Sequence, residues 1–264
     1  MRLLADHGLR PDTDLGQHFL LDENLVDLAL REAAVGPGDV VLEVGAGLGV
    51  LTVALGRAAA AVHAVELDRR LEPALTAAVA GLEAVRIVWG DAMRIDLGAL
   101  DPAPTALVAN LPYSVATPLM IESLALPSLD RWCVMTQREV ADRWLAEPGG
   151  RLYGGPSVLL QGALEPTFRR NVGREVFTPR PRVDSALVAF RRTGPPPSAE
   201  LRRLVRAAFA ARRKTLVNAL AQAGCPKDEA LRALEAIGAA PGIRPEALNP
   251  GGFARLAGEL RWPG

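Results

Sequence analysis

The chain has 264 residues, 49% hydrophobic and 23% charged, with 30 Lys+Arg against 30 Asp+Glu. That profile describes a soluble globular protein with room for one large domain and one small one, and no apolar run approaches the roughly 18 residues of a membrane helix. Two isolated cysteines (Cys133, Cys225) and three scattered histidines (His7, His18, His63) give no support to a disulfide framework, a zinc site or a Ser-His-Asp arrangement. Met1 to Asp14 alternates charges with Leu and lacks the apolar stretch of a secretory signal, so the expected compartment is the cytoplasm.

Met1 to Leu21 reads as an irregular or partly helical arm. Asp22 can cap a helix whose apolar face carries Leu25, Val26, Leu28, Ala29 and Leu30, ended by Gly36-Pro37-Gly38-Asp39. Val40 to Val44, interrupted only by Glu43, reads as a buried parallel strand. Further strand and helix units alternate: helix Leu51 to Ala60, strand Val62 to Val65, helix Arg69 to Ala80, strand Val85 to Trp89, strand Thr105 to Ala109, helix Ala116 to Leu124, strand Trp132 to Thr136 and helix Arg138 to Ala146. This alternation predicts an α/β fold, an open parallel sheet with helices on both faces. Tyr153 to Leu164 then reads as a helix leading into a strand near Glu165 to Val172. Val183 to Phe190 alternates apolar and polar, as an antiparallel strand closing the sheet would. Thr193-Gly194-Pro195-Pro196-Pro197-Ser198 reads as a linker. Beyond it Glu200 to Ala211, Thr215 to Gln222, Asp228 to Ile237 and Phe253 to Leu260 are all helical in pattern. The expected organisation is residues 1–192 as arm plus α/β domain, 193–198 as linker and 199–264 as a small all-helical domain.

The strand ends carry the chemistry. Glu43-Val44-Gly45-Ala46-Gly47-Leu48-Gly49 closes one strand and opens a helix, where glycines let backbone approach a ligand and free N–H groups face it. A dinucleotide fingerprint needs glycine three places after Gly47, and Val50 stands there. Gly-x-Gly-x-Gly instead suits a nucleoside whose tail is an amino acid. Glu66, at the next strand end, can grip two ribose hydroxyls; Asp91 can accept from an adenine amino group. Each carboxylate alone reads equally as a cap. Asn110-Leu111-Pro112-Tyr113 follows a fourth strand. It can hold a flat amino-bearing ring, the aromatic stacking while carbonyl oxygens accept N–H, although Asn and Pro are also ordinary turn residues. Together these sites on one sheet edge point to S-adenosylmethionine, and to no metal. His63 and Asp68 read as structural.

Charge is uneven along the chain. Residues 1–168 hold 12 Lys+Arg against 22 Asp+Glu, and residues 169–264 hold 18 against 8. A basic flank on an acidic body suggests polyanion binding, while arginines on solvated faces would give the same count.

Several segments converge on one resemblance. Leu15-Gly16-Gln17-His18-Phe19-Leu20, Glu43 to Gly49, Glu66-Leu67-Asp68, Gly90-Asp91-Ala92, Asn110 to Tyr113, Phe177 to Ala186 and Ala208 to Thr215 together resemble the ribosomal RNA adenine N6-dimethyltransferases of the KsgA type, over nearly the whole chain. His18 stands where that family usually has Asn, Ala46 where many members have Pro, and Leu15 where Phe is common. The resemblance implies a Rossmann-like S-adenosylmethionine-dependent methyltransferase sheet with a helical RNA-binding domain. It implies cofactor contacts from His18, Leu20, Gly45, Gly47, Glu66, Asp91 and Asn110. The catalytic motif is Asn110, Leu111, Pro112 and Tyr113, with Phe177 and Tyr113 sandwiching an extruded base. Arg212, Arg213 and Lys214, with Arg202, Arg203 and Arg206 just before them, would hold RNA phosphates. The implied reaction is dimethylation of N6 on two adjacent adenosines near the 3′ end of 16S ribosomal RNA in the assembling small subunit, by a monomer away from any membrane. The closest rival is the Erm branch, which methylates 23S ribosomal RNA; others are a small-molecule or protein amine methyltransferase and a non-enzymatic assembly factor.

Overall fold

The structure is a computed structural model describing residues 11, 12 and 16–262; the remaining residues, His7 and Leu15 among them, lie outside that description. The chain forms two compact units, Met1–Ala141 with Glu165–Arg192, and Asp142–Leu164 with Thr193–Gly264.

In the first unit, β1 (Phe19–Leu20) precedes α1 (Glu23–Glu32), which Asp22 caps by accepting from Leu25 N–H at 3.1 Å. There follow β2 (Val40–Val44), α2 (Val50–Ala58), β3 (Ala61–Glu66), α3 (Glu72–Ala78), β4 (Val85–Trp89), β5 (Ala106–Asn110), α4 (Ala116–Ser123), β6 (Arg131–Gln137), α5 (Arg138–Trp144), α6 (Gly155–Gln161), β7 (Leu164–Val172), β8 (Phe177–Thr178) and β9 (Ser185–Arg192). Of these, α6 falls in the second unit and α5 runs across its boundary.

The main sheet runs β4-β3-β2-β5-β6-β9-β7. β2 pairs parallel with β3 and β5, β3 with β4, and β5 with β6, while β9 returns antiparallel along β6 from Arg131↔Arg191 to Gln137↔Ser185. The central strands β2, β3 and β5 are short, mostly apolar runs because both faces are covered: Val41, Leu42, Val62, Ala64, Leu107 and Val108 are fully shielded, whereas the edge strand β7 is largely exposed. At the amino ends, Asp39 ties three segments together. It accepts from Gly36 N–H (2.8 Å) and the Thr105 hydroxyl (2.9 Å) and pairs with the Arg131 guanidinium. Strand order reverses between β2 and β5. In open α/β sheets the carboxyl ends at such a reversal leave a crevice.

The arm does not stay irregular where it is described. Phe19 and Leu20 pair antiparallel with Thr178 and Phe177 as a separate two-stranded ribbon. This pairing spans more than 150 residues, and no local pattern announces it. β9 begins at Ser185 rather than at Val183: its partner β6 gives way to a helix at Arg138, the ladder ends at Gln137↔Ser185, and Arg182 and Val183 form a bend in which Val183 is exposed.

The second unit is helical: α6, α7 (Ala199–Ala210), α8 (Leu216–Gln222), α9 (Lys227–Ala236) and α10 (Pro250–Glu259). Ser198, Thr215 and Asn249 cap α7, α8 and α10. Residues 142–164, grouped by sequence pattern with 1–192, cluster here. The reason lies in their apolar and polar ties: Trp144, Tyr153 and Leu160 are fully buried, the Tyr153 ring meets Phe209 edge-on at 6.2 Å, and its hydroxyl donates to the Leu248 carbonyl (2.9 Å). Among the described residues no helix is long and apolar enough to cross a membrane.

Candidate active site

A cavity lies at the carboxyl ends of β2, β3, β4 and β5, and the Gly loop, Glu66, Asp91 and the Asn110–Tyr113 corner all line it. The sheet brings together what the sequence holds 65 residues apart, because parallel strands of one sheet end on one edge.

The Gly loop is shaped by backbone that only glycine adopts easily. Gly45 has φ +80°, and a Cβ there would meet Pro112 Cδ at 3.2 Å; Gly47 has φ +57°, and a Cβ would meet the Phe19 ring at 3.1 Å. Gly45 N–H donates to the Val65 carbonyl (2.9 Å), tying the loop to the end of β3.

Glu66 is buried, yet both of its oxygens are held. Oε2 accepts from Gly47 N–H and Oε1 from Asp68 N–H, each at 2.8 Å. Burial pushes its pKa up, and these N–H donors oppose the rise. Each carboxylate oxygen has a second lone pair for a ligand hydroxyl. Asp91 accepts from Met93 N–H (2.9 Å) and stands 3.5 Å from the Arg94 guanidinium, so it caps its own turn while facing the cavity.

Asn110 ends β5. Its Nδ2 donates to the His18 carbonyl (3.0 Å). A carbonyl can only accept, so the amide is oriented with Oδ1 as its remaining acceptor. Leu111 is buried and anchored by its N–H to the Met135 carbonyl (2.9 Å). Tyr113 is half-buried, and its hydroxyl shares a hydrogen bond with Ser185 Oγ (2.9 Å). Burial raises its pKa, with the Ser185 bond opposing. His18 Nδ1 donates to the Pro179 carbonyl (2.8 Å), and its ring lies 5.7 Å from that of Tyr113.

One expectation changes. Phe177 does not line the cavity. It is 3% exposed and packs in the core with Leu20, Val172 and Leu187, because its strand pairing with Leu20 turns it inward. It cannot form one wall of a base sandwich. Leu20 is likewise a core side chain, although it also borders the cavity. His63 and Asp68, expected to be structural, do not line the cavity and are held by protein partners. His63 Nε2 donates to the Pro102 carbonyl (2.8 Å), and Asp68 accepts from Gln17 Nε2 (2.7 Å) and Arg70 Nε (2.7 Å), which holds its carboxyl below the usual range.

The proposed RNA-binding residues lie in the second unit, on α7 and the turn before α8. Arg206, Arg213 and Lys214 are exposed. Arg212 is committed elsewhere: its guanidinium donates to the carbonyls of Arg151 (2.7 Å) and Gly150 (2.9 Å). Arg202 donates to the Pro197 carbonyl (3.4 Å), and Arg203 stacks 4.1 Å over the Trp262 ring.

Glu43 has no role of its own in the sequence motifs. It lies 1% exposed beneath the cavity, its Oε2 without a partner, and burial followed by the nearby Glu66 charge lifts its pKa to about 8. The available signal was a carboxylate in an otherwise apolar strand. It completes an unusual wall. The described lining residues include the carboxylates Glu43, Glu66 and Asp91 and no Lys or Arg. Glu43 keeps its proton, so Glu66 and Asp91 carry the acidity; a lining with those carboxylates and no described Lys or Arg offers a pyrophosphate no cation and suits a cationic nucleoside, so the residues fit S-adenosylmethionine.

A family model described as ribosomal RNA adenine dimethylase matches residues 9–240. The chain is 46% identical to ribosomal RNA small subunit methyltransferase A of Thermobifida fusca, over 97% of this chain and 92% of that one. It is 48% identical to the protein of that name in Kineococcus radiotolerans, over 97% and 89%. Among solved structures it is similar to a dimethyladenosine transferase from Plasmodium falciparum (TM-score 0.77, 26% identity, 90% and 96% covered). It is also similar to the 23S rRNA methyltransferase ErmE (TM-score 0.66, 27% identity, 92% and 99% covered). An acidic nucleoside cavity at the carboxyl edge of the sheet and matches of this length agree: the chain belongs to the ribosomal RNA adenine dimethylase family and is an S-adenosylmethionine-dependent methyltransferase.

Proposed function

We propose that this protein dimethylates N6 of two adjacent adenosines near the 3′ end of 16S ribosomal RNA during assembly of the small ribosomal subunit, acting as a cytoplasmic monomer. The observation that carries the chemistry is the Asn110 amide, fixed by the His18 carbonyl with Oδ1 left to accept. The 46–48% identity to relatives named for the small subunit, against 27% to ErmE, favours 16S over 23S RNA.

When bound, S-adenosylmethionine supplies a methyl group already activated on a sulfonium. Glu66 holds the ribose, Asp91 the adenine, and the loop at Gly45 and Gly47 the amino-acid end. Adenine N6 is a weak nucleophile because its lone pair is delocalised into the ring. Asn110 Oδ1 and the Leu111 carbonyl accept its two hydrogens, drawing the nitrogen toward tetrahedral geometry. Tyr113 stacks on the extruded base, its ring kept in place by the Ser185 bond. The corner contributes chiefly alignment, an effect worth up to about 7–11 kcal/mol in favourable systems. No general base is required, since the proton leaves a cationic product. Arg206, Arg213 and Lys214 hold the RNA backbone.

The test is methylation of reconstituted small subunits that lack the modification, read by mass spectrometry of the RNA. Wild type should yield dimethyladenosine near the 3′ end of 16S RNA and leave large-subunit RNA unmodified; the reverse pattern sinks the assignment. Asn110→Ala should lose at least a hundredfold in rate, while cofactor affinity by calorimetry changes less than tenfold.

A further inference from the structure

The positive excess of residues 169–264 does not sit only on helices. Seven arginines, from Arg169 to Arg192, against Glu175 and Asp184, account for half of that excess, and they belong to the sheet unit. Two of them occupy a notable position. Pro179-Arg180-Pro181-Arg182 is anchored at both sides to the reacting corner. The Pro179 carbonyl accepts from His18 Nδ1 (2.8 Å), and Ser185 Oγ bonds the Tyr113 hydroxyl (2.9 Å). His18 and Tyr113 line the cavity beside Asn110.

The segment is prepared for an anion. Alternating prolines restrict its backbone, so binding removes little conformational freedom. The Arg174 guanidinium braces it by donating to the Arg182 carbonyl (3.2 Å). Asp184, which would repel an anion, is flanked by Arg138 (3.6 Å) and Arg174 (3.5 Å). Arg180 and Arg182 are exposed. Among the described residues Arg180 forms an ion pair only with Glu175, at 3.9 Å, a solvated pair of little strength, and the Arg182 guanidinium forms none.

We propose that Arg180 and Arg182 clamp the phosphodiesters flanking the extruded adenosine. A base that reaches Tyr113 brings its own backbone to the rim of that corner, where a planar guanidinium can grip phosphate in a fork. The sheet unit thus positions the strand at the target nucleotide, in addition to any grip by the helical unit. The inference rests on the RNA-methylating function proposed above.

The test compares wild type, R180Q/R182Q and R180K/R182K on small subunits lacking the modification, and on a short RNA carrying the target adenosines. The Gln pair should raise the KM for subunits about tenfold, leave kcat within twofold and leave cofactor affinity unchanged. The slope of log affinity against log salt for the short RNA should fall by roughly 0.7 for each phosphate no longer neutralised, and the Lys pair should recover most of the affinity. A neutral methylphosphonate beside the target adenosine should weaken wild type but add nothing to the Gln pair, the non-additivity expected of direct partners. If wild type methylates its adenosines while the Gln pair keeps the same KM and salt slope, or the methylphosphonate effect is additive, the clamp is wrong and the function stands. If wild type binds RNA but transfers no methyl to it, the functional reading fails and the clamp fails with it.

Discussion

Burying Glu43 beneath the cavity deprives its carboxylate of water, and the neighbouring Glu66 adds repulsion. The proton is therefore retained in the folded protein up to about pH 8, against an ordinary value of 4.5. Between those two values the unfolded chain has released a proton that the folded chain still binds. Stability must then fall as pH rises through this window, by up to about 1.4 kcal/mol per pH unit for the one group. Glu43→Gln keeps the neutral shape and removes the titration. Its melting temperature should decline less than that of wild type between pH 5 and pH 8, and equal slopes in calorimetric scans would refute the linkage. At this scale the sequence was partly legible. Glu43 shows as a charge in an apolar strand, and Asn110 and Tyr113 show as a polar corner at a strand end. Phe177 misled because an aromatic in a Pro-rich loop looks exposed, and only its pairing with Leu20 turns it inward.

The element that sets the cavity floor is the turn from β2 into α2. Its left-handed glycines bring the loop against Pro112 and Phe19, two residues from distant parts of the chain. Gly47→Ala should cost about 1–2 kcal/mol from the positive φ alone. It should also push Phe19 out of place and, by moving the N–H that holds Glu66, weaken cofactor binding. Chemical denaturation and calorimetric titration together check this, and an unchanged cofactor affinity would show that Glu66 holds its position independently of the turn. Helices and strands of the sheet were legible because their apolar periods and caps are local; Asp22, Ser198 and the Gly loop all do what their types favour. The β1–β8 ribbon was not, since two-residue strands carry no period.

Across the whole molecule, charge divides the labour among arginines that look alike in sequence. Arg212, Arg213 and Lys214 read as one cluster, yet Arg212 donates to two backbone carbonyls in its own unit while Arg213 and Lys214 face solvent. Arg212→Ala should lower stability by about 2 kcal/mol, as removing charge-assisted bonds to backbone carbonyls would. Arg213→Ala with Lys214→Ala should leave the melting temperature within a degree or two and reduce both RNA affinity and its salt slope. Loss of RNA affinity in Arg212→Ala alone, with stability intact, would reverse these roles. The same division explains why residues 142–164 cluster with the helical unit. Trp144 and Tyr153 need an apolar enclosure, and the aromatic rings of Phe209 and Phe253 lie within that unit.

By itself the sequence determined the α/β class, the strand-end positions of Gly45, Glu66, Asp91 and Asn110, and the cationic nucleoside they serve. Those follow from periodicity and from residue types whose chemistry is local. Tertiary structure alone decided which side chains face the cavity and which are spent on packing or on backbone carbonyls. Glu43 below it, Phe177 away from it, Arg212 withdrawn and the Pro179 carbonyl tied to His18 all depend on the meeting of segments far apart in the chain, which no local pattern encodes.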